Sequence, residues 1–592
     1  MRRLSVFLAL LALAGPAWAA AGGGGGPAAN PQAASVTVDD TSPGKTLPAN
    51  YVGLTLSYGF DWGPCTNASG QTWSPTVPSA GYLVSTNTAL VNTIDLIAAS
   101  GIITLGGNGA DSCVPVTYPS NTLITQLAGF MKATGWGYNH TLNVLAQDPT
   151  NAASQASLIT TAFATAGAVT PTFYIGEEPN FVRSGWTFTA PAANFPTPWN
   201  NVITAASWAA TSGGQATFTT TVAHGLTSGN KVVVGGFTPT GWNGTYTATT
   251  GTTGSTIVVP LTAGNPGAVT VNGQTPGPGE LAYYAQWAAY FTAIRGSVSG
   301  ANFWGPDETG NGNPSYVGNF CPYVGSTGIT AITDHIYPLG SGANNPLANI
   351  PNLLTSYGSS TGGIQTPAAW LSVVLSPAAA ACGSGVPAIE TDTNSVYTQG
   401  PYVANSQASG VWAIDYGMAL WNGGTGGLSH WSLAGTLQSP AYRAANGGFG
   451  PIYYSPFWDD LTAGIGVNPL FYGLMMLGAV EGGQALPVTA CPGSAGAINL
   501  GCYGFKGGDG KTRILVTNRD TQRAATVTLG RTSAFTSAAV SILTGPGCAA
   551  TTATYAGATV SSTGTFAPTP LTVPSGSSFT LPPCSAAYAL LT

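Results

Sequence analysis

From residue 51 onward, short β-branched and aromatic runs alternate with stretches that carry apolar residues at helical spacing. Residues 51–58, 102–105, 142–146 and 172–176 read as strands, and residues 89–99, 123–131 and 152–166 as the helices between them. That rhythm predicts βα units around a parallel sheet. It breaks between 206 and 275, where Thr, Gly and Val dominate and short alternating runs (216–222, 231–234, 244–249, 256–261, 268–271) are separated by turn signals. This segment predicts a small all-β module of about seventy residues, a size at which small domains fold alone. The alternation then resumes, with a helix over 281–294, strands over 301–305, 329–333 and 386–392, a helix over 410–421 and a polar strand end near 427–431. Eight such strands predict an α/β fold, a (β/α)8 TIM barrel in two halves, 51–205 and 276–450, with the 206–275 module overhanging its C-terminal face. Past residue 451 comes a helical stretch (469–480), then strand-like runs such as 512–517 and 525–529 around an Asp509-Gly510 hairpin turn. We expect a C-terminal β-sandwich over 451–592, joined by an N-terminal strand within 35–50.

Length agrees with several domains, since 592 residues exceed what one core usually holds. Arg2 and Arg3 precede an apolar run to Ala14 and the small-residue site Ala17-Trp18-Ala19, which predicts a secretory signal over 1–19 and a secreted or periplasmic protein. The run is too short to span a membrane. A Gly/Ala/Pro stretch follows, expected to be a disordered linker over 20–34. Removing the signal takes away two of the 14 basic residues and none of the 20 acidic ones, so the formal net charge moves from −6 to −8. With basic residues this sparse and unclustered, nucleic acid is not an expected partner. Eight cysteines in an exported chain predict bridges, and with four histidines and no CxxC arrangement beside them, neither a metal nor a cofactor is expected. Neighbours are expected to pair (65 with 113, 321 with 382, 491 with 502, 548 with 584), although four cysteines per region allow three connectivities.

Candidate chemistry lies at the strand ends. The run Thr172-Phe173-Tyr174-Ile175-Gly176 stops at Glu177-Glu178-Pro179-Asn180, which places carboxylates at a strand's C-terminal tip, where barrel enzymes keep their catalytic groups. Far downstream, Val386-Pro387-Ala388-Ile389 runs into Glu390-Thr391-Asp392-Thr393-Asn394-Ser395. By strand alternation Glu390 and Asp392 share one face, with Asp392 nearer the tip. Two carboxylates on two strand ends are what glycosidic bond cleavage needs, one to protonate the leaving oxygen and one to attack or to activate water.

The motifs GGNGAD (106–111), GEEPN (176–180), DHIYP (334–338), ETDTNS (390–395) and GVNPLFYG (466–473), in this order, resemble glycoside hydrolase family 79, the β-glucuronidase and heparanase-like group. The resemblance spans nearly all of the mature chain except the inserted module, whose own segments 223–229 and 241–246 weakly resemble β modules of bacterial and phage surface proteins. It implies a retaining hydrolase with a carbohydrate substrate, Glu178 as general acid/base and Asp392 as nucleophile. Tyr337 would lie beside the nucleophile, Asn108 and Asp111 would hold sugar hydroxyls, and Tyr397 with the loop to Gly400 would approach a sugar carboxylate. Glu177, His335 and Asn394 complete the implied substrate-binding set.

Two departures stand out. The family's nucleophilic glutamate is Asp392 here, one methylene shorter, and the family's asparagine before the acid is Glu177. Retaining enzymes hold their carboxyl groups about 5–5.5 Å apart and inverting ones about 6.5–9.5 Å. Three outcomes follow: backbone adjustment preserves retention, Glu390 serves as alternative nucleophile, or the chemistry changes or is lost. An ionised Glu177 would accept hydrogen bonds where asparagine can donate, and would repel a uronic acid. The expected activity is therefore hydrolysis of a β-linked sugar, with a β-glucuronide as one candidate. The alternative is a carbohydrate-binding or surface protein on an inactive glycosidase scaffold.

Overall fold

The computed structural model describes residues 31–57, 82–107, 110, 119–180, 200–309, 315–340, 345–355, 376–383, 385–397, 403–422, 430–435, 437, 453–460, 463–492 and 498–592. Cys65, Asn108, Asp111, Cys113 and Gly400, all singled out above, lie outside these residues, as does the expected signal segment.

Eight parallel strands close a barrel in the spatial order β2 (Val52–Ser57), β3 (Ile102–Gly106), β4 (Gly137–Leu142), β5 (Thr172–Ile175), β12 (Asn302–Thr309), β13 (Ile329–Ile336), β14 (Ala388–Thr393) and β15 (His430–Gly435), which pairs back with β2. Each is followed in the chain by a helix: α1 (Thr88–Ile97), α2 (Asn121–Thr134), α3 (Pro149–Ala166), α4 (Pro278–Ser297), α5 (Ser315–Val324), α6 (Ser376–Cys382), α7 (Gln407–Asn422) and α8 (Pro469–Gly478). Leu127, Phe163, Trp287, Trp412 and Leu474 on these helices join Leu54, Ile103 and Phe303 of the strands in one buried core. Inside the barrel, Tyr174, Trp304, Ala331 and Ile389 form a smaller apolar floor below the mouth.

Helix α8 corrects the expected boundary at 451. It packs against α7 and α1 as the barrel's eighth helix, so barrel structure runs on to Gly478. The third strand also lies earlier than the 142–146 run, at Gly137–Leu142. Its interior holds Asn139 and His140, whose polarity masks the apolar signal; His140 is buried with Tyr138 Oη 2.7 Å from Nδ1 and Gln155 Nε2 3.0 Å from Nε2.

Between β5 and α4 the chain builds the inserted module, from β6 (Asn200–Ala209), β7 (Gln215–Thr220), β8 (Lys231–Val234), β9 (Gly244–Thr247), β10 (Thr256–Pro260) and β11 (Gln274–Pro276). It begins six residues before the expected 206, because β6 pairs with β11 from Asn200 to Pro276 and with β7 beyond that. Phe218, Phe237, Trp242 and Ile257 give it a core of its own.

The C-terminal β domain stacks two sheets. One holds β19 (Val488–Ala490), β1 (Gln32–Val38), β22 (Ala525–Arg531) and β26 (Ser578–Leu581); the other holds β18 (Gln484–Leu486), β20 (Leu500–Lys506), β21 (Thr512–Asn518), β27 (Ser585–Leu591), β23 (Ser537–Thr544) and β24 (Thr554–Tyr555), with β25 (Leu571–Pro574) on β23. Val36, Val38, Val516, Val527 and Val540 fill the space between. Strand β1 runs parallel to β22 from Gln32, so residues 32–34 are ladder rather than linker. Cys321 and Cys382 join α5 to α6, and Cys491–Cys502 and Cys548–Cys584 bridge within the β domain. Among the described residues no helix is long and apolar enough to cross a membrane.

Candidate active site

The mouth of the barrel, at the C-terminal ends of its strands, gathers carboxylates around a single imidazole. Strand β5 ends in Gly176, and the next two residues turn across the opening. Glu178 takes a left-handed backbone (φ 44°), a conformation that costs a non-glycine residue about 1–3 kcal/mol and persists only when its surroundings impose it. The surroundings are visible: the Glu178 N–H donates to the Asp307 carbonyl at 2.9 Å, and Asp307, at the tip of β12, is itself left-handed (φ 62°).

His335, on the tip of β13, stands between these residues. Its Nδ1 lies 3.0 Å from Glu178 Oε1, and its Nε2 lies 3.2 Å from Asp307 Oδ1 and 3.9 Å from Glu177 Oε1. Burial alone would strip the ring of its proton, but Asp307, Glu178 and Glu177 outweigh it and hold the imidazole pKa well above its ordinary value. The surrounding carboxylates therefore favour the protonated imidazole.

Asp392 sits at the tip of β14, opposite His335 in the strand register. Tyr337 Oη donates to Asp392 Oδ1 at 2.5 Å. Burial raises the Asp392 pKa to about 6, with the His335 charge pulling it down and Glu178 pushing it up. Glu178 and Asp392, remote in sequence, thus face one another electrostatically at one mouth. Around them Tyr397, 38% exposed, packs edge-on against Tyr337 with ring centroids 5.7 Å apart, and Tyr454 lies 6.4 Å from Tyr337. These rings form a wall suited to the apolar face of a sugar.

Glu390 does not share this site in the way alternation predicts. The register of β13 against β14 slips between Asp334 and His335, so that Asp334 pairs with Glu390 but His335 pairs with Asp392. This bulge turns Asp392 to the mouth, as bulges beside sites commonly do. Ile389 and Thr391 face the barrel axis, where Thr391 Oγ1 donates to Asp307 Oδ1 at 2.6 Å. Glu390 instead lies toward α7, whose Tyr416 has its pKa raised by burial and by Glu390 and meets Thr393 Oγ1 at 3.2 Å. Burial and then Asp334 push the Glu390 pKa well above the usual glutamate value.

Glu177 is buried below the mouth. Its Oε2 lies 3.4 Å from Thr141 Oγ1, and a side chain at Gly106 would collide with its carboxyl group. Burial and then Asp307 raise its pKa well above the glutamate range. That shift favours a protonated carboxyl, which can donate as an amide does, where the ionised form only accepts. Asn394 is corrected. It is fully buried, with Nδ2 donating to the Tyr454 carbonyl at 2.8 Å and Oδ1 accepting from Ser395 N–H at 2.8 Å, so it shapes the loop after β14.

Asp307 and Thr391 are the site residues that sequence reasoning missed. The one signal was Pro306-Asp307-Glu308 at a strand end; the contacts that give Asp307 its place come from three other strands. Glu177, Asp307 and His335 offer donor atoms within 4.8 Å of one another, a spacing a cation could bridge. Both ring nitrogens of His335 face carboxylates.

No protein-family profile matches the sequence, and no curated protein matches it. Solved structures do. A 4-O-α-L-rhamnosyl-β-D-glucuronidase from Fusarium oxysporum superposes with a TM-score of 0.56 at 16% identity, covering 94% of this chain and 99% of that one. A family GH51 arabinofuranosidase from Xanthomonas axonopodis pv. citri gives a TM-score of 0.53 at 12% identity, and a family 51 α-L-arabinofuranosidase from Bifidobacterium longum 0.52 at 12%, each over 95% of this chain and all of theirs. The chain shares the fold of these barrel glycosidases. In that fold Glu178 follows the fourth barrel strand and Asp392 ends the seventh.

Proposed function

We propose that this protein is an exported retaining glycoside hydrolase that cleaves a β-linked sugar by double displacement. The observation that carries the reading is the placement of Glu178 and Asp392 at one barrel mouth, joined through His335 and Tyr337. Asp392, with a pKa of about 6, is ionised at neutral pH and can attack the anomeric carbon, while Tyr337 steadies the attacking carboxylate. Glu178 gives its proton to the departing oxygen, then takes one from the water that releases the sugar. The bulge in β14 compensates for the missing methylene of Asp392 by carrying its carboxylate forward, and Glu390, turned toward α7, is not the nucleophile.

Asn108, Asp111 and Gly400 are proposed to complete the sugar site, with Tyr397 as its aromatic wall. Glucuronic acid is one candidate sugar, since the Fusarium enzyme is by name a glucuronidase. The charge at the mouth argues that neutral sugars are accepted too. Among the described residues, His335 is the cation within ion-pairing distance of the site carboxylates, and an anionic sugar would meet more negative charge than positive.

A panel of aryl β-glycosides tests this reading. Glu178→Gln and Asp392→Asn should each lower kcat on the best substrate by about 10²- to 10⁴-fold. Unchanged turnover in both variants contradicts it, and turnover of the glucuronide alone rejects acceptance of neutral sugars. Tight binding of a glycan by wild-type protein without hydrolysis would favour the carbohydrate-binding alternative, which the two departures at Glu177 and Asp392 motivate.

A further inference from the structure

Proton donation by Glu178 does not by itself require Asp307, yet Asp307 is built into the site from every side. Its carbonyl accepts the Glu178 N–H, its Oδ1 accepts the Thr391 hydroxyl and faces His335 Nε2, and its backbone is left-handed. The site also carries a charge problem. In the first half of double displacement, the Glu178 O–H bond breaks and its proton goes to the glycosidic oxygen. The bond from the anomeric carbon to that oxygen breaks, and one from the same carbon to Asp392 forms. One negative charge therefore leaves Asp392 and appears on Glu178. When water attacks, its proton goes to Glu178, the Asp392 bond breaks, and the charge returns.

We propose that Asp307 and His335 form a charge-balancing couple that follows this movement, with the imidazole ring set between Glu178 and Asp307 on the strand beside that of Asp392, and Asp307 favouring its protonated form. The proposal rests on the glycosidase reading of Glu178 and Asp392. Its geometry is on both sides of the ring: Nδ1 meets Glu178 at 3.0 Å, the backbone pairs with Asp392, and Nε2 meets Asp307 at 3.2 Å. The charged groups facing His335 are Glu177 and Glu178 after β5, Asp307 on β12, its own neighbour Asp334, and Glu390 and Asp392 on β14. All are acids, and burial raises the pKa of Glu177, Asp334 and Glu390, which favours their protonated forms. His335 therefore has no cationic competitor among them, and Asp307 is a positioning residue acting through it.

The test is Asp307→Asn in the full chain, a near-isosteric change that keeps an acceptor for Nε2 and removes the charge. Two readouts are needed. On glycosides with a poor leaving group, which depart only when protonated, kcat/KM should fall by about 10²-fold, whereas on a dinitrophenyl glycoside, which departs unaided, it should stay within about 3-fold. In ¹⁵N spectra of the imidazole rings, simple to read because the chain has four histidines, His335 is assigned by its loss in His335→Gln. Wild-type His335 should carry protons on both nitrogens at pH 7.5, and in Asp307→Asn it should be neutral.

Equal losses on both substrates, or an imidazole unchanged by the substitution, would overturn the proposal. If wild-type protein hydrolyses no glycoside, the enzymatic reading fails. The spectra then still decide the couple, because a neutral His335 in the wild type sinks it and an Asp307-dependent imidazolium sustains it. Should Asp307→Asn not fold, Thr391→Val removes the hydroxyl that orients Asp307 and should move both readouts the same way by less.

Discussion

Two regions of this chain show how differently a fold can treat carboxylates. Where the barrel meets the β domain, Asp415 of α7 is fully buried and fully answered. Arg519 Nε reaches Oδ2 at 2.9 Å, while Tyr503 Oη and Thr517 Oγ1 donate to Oδ1 at 2.7 and 2.8 Å. At the barrel mouth, Glu177, Glu178, Asp307 and Asp392 share one imidazole. The junction has a cation and donors for its acid and so resists change. Among the described residues the mouth has more acids than cations, and burial shifts several of the acids toward their protonated forms. The lesson is that buried charge alone does not mark a reactive site; an unequal count does.

The contrast breaks most visibly at the junction. Asp415→Ala takes the ion-pair partner from the half-buried Arg519 and the acceptor from Tyr503 and Thr517, and should cost about 3 kcal/mol, read as a fall in thermal midpoint. Turnover per folded molecule should remain at the wild-type level; a variant as stable as wild type would mean that the junction is not the tightly satisfied region described. At the mouth the sign reverses. Asp392 has a folded pKa of about 6, above the ordinary aspartate value, so its contribution to stability is fully present in acid and is lost as pH rises through 6. Asp392→Asn removes that loss and should stabilise the protein at pH 7 by on the order of 2–3 kcal/mol, with no gain near pH 4. A gain independent of pH would point to packing instead.

On the proposed mechanism the same ionisation governs the rate. Because the nucleophile must be a carboxylate, kcat/KM should fall toward about tenfold per unit as pH drops below 6, and a flat profile to pH 4.5 contradicts the assignment. The smallest effect is expected from the inserted module. Its ends are adjacent, with Asn200 paired to Pro276, and its core is its own, so excising residues 200–276 should change kcat on a small aryl glycoside by less than about 3-fold. A larger loss would make the module part of the site.

The sequence shows the barrel and the Glu178 strand because an apolar run that ends abruptly in acids and proline has one simple structural meaning. It shows less where polarity is buried or the backbone departs from regularity. His140 and Asn139 hid β4, since buried polar side chains look like loop residues in a string of letters. The bulge in β14 reversed the expected relation of Glu390 to Asp392, and nothing local in Ile389-Glu390-Thr391-Asp392 announces it. Asp307 has contacts on three other strands, and its left-handed backbone is imposed by them. Helix α8 was visible as a helix but not as part of the barrel, because its partners α7 and α1 lie far off in the chain.

The most direct measurement is covalent trapping. Incubation with 2-deoxy-2-fluoro β-glycosyl fluorides, followed by peptide mass mapping, should place a fluorosugar on Asp392 and leave Glu390 unmodified. A label on Glu390, or none with any sugar that the protein turns over, would contradict the account.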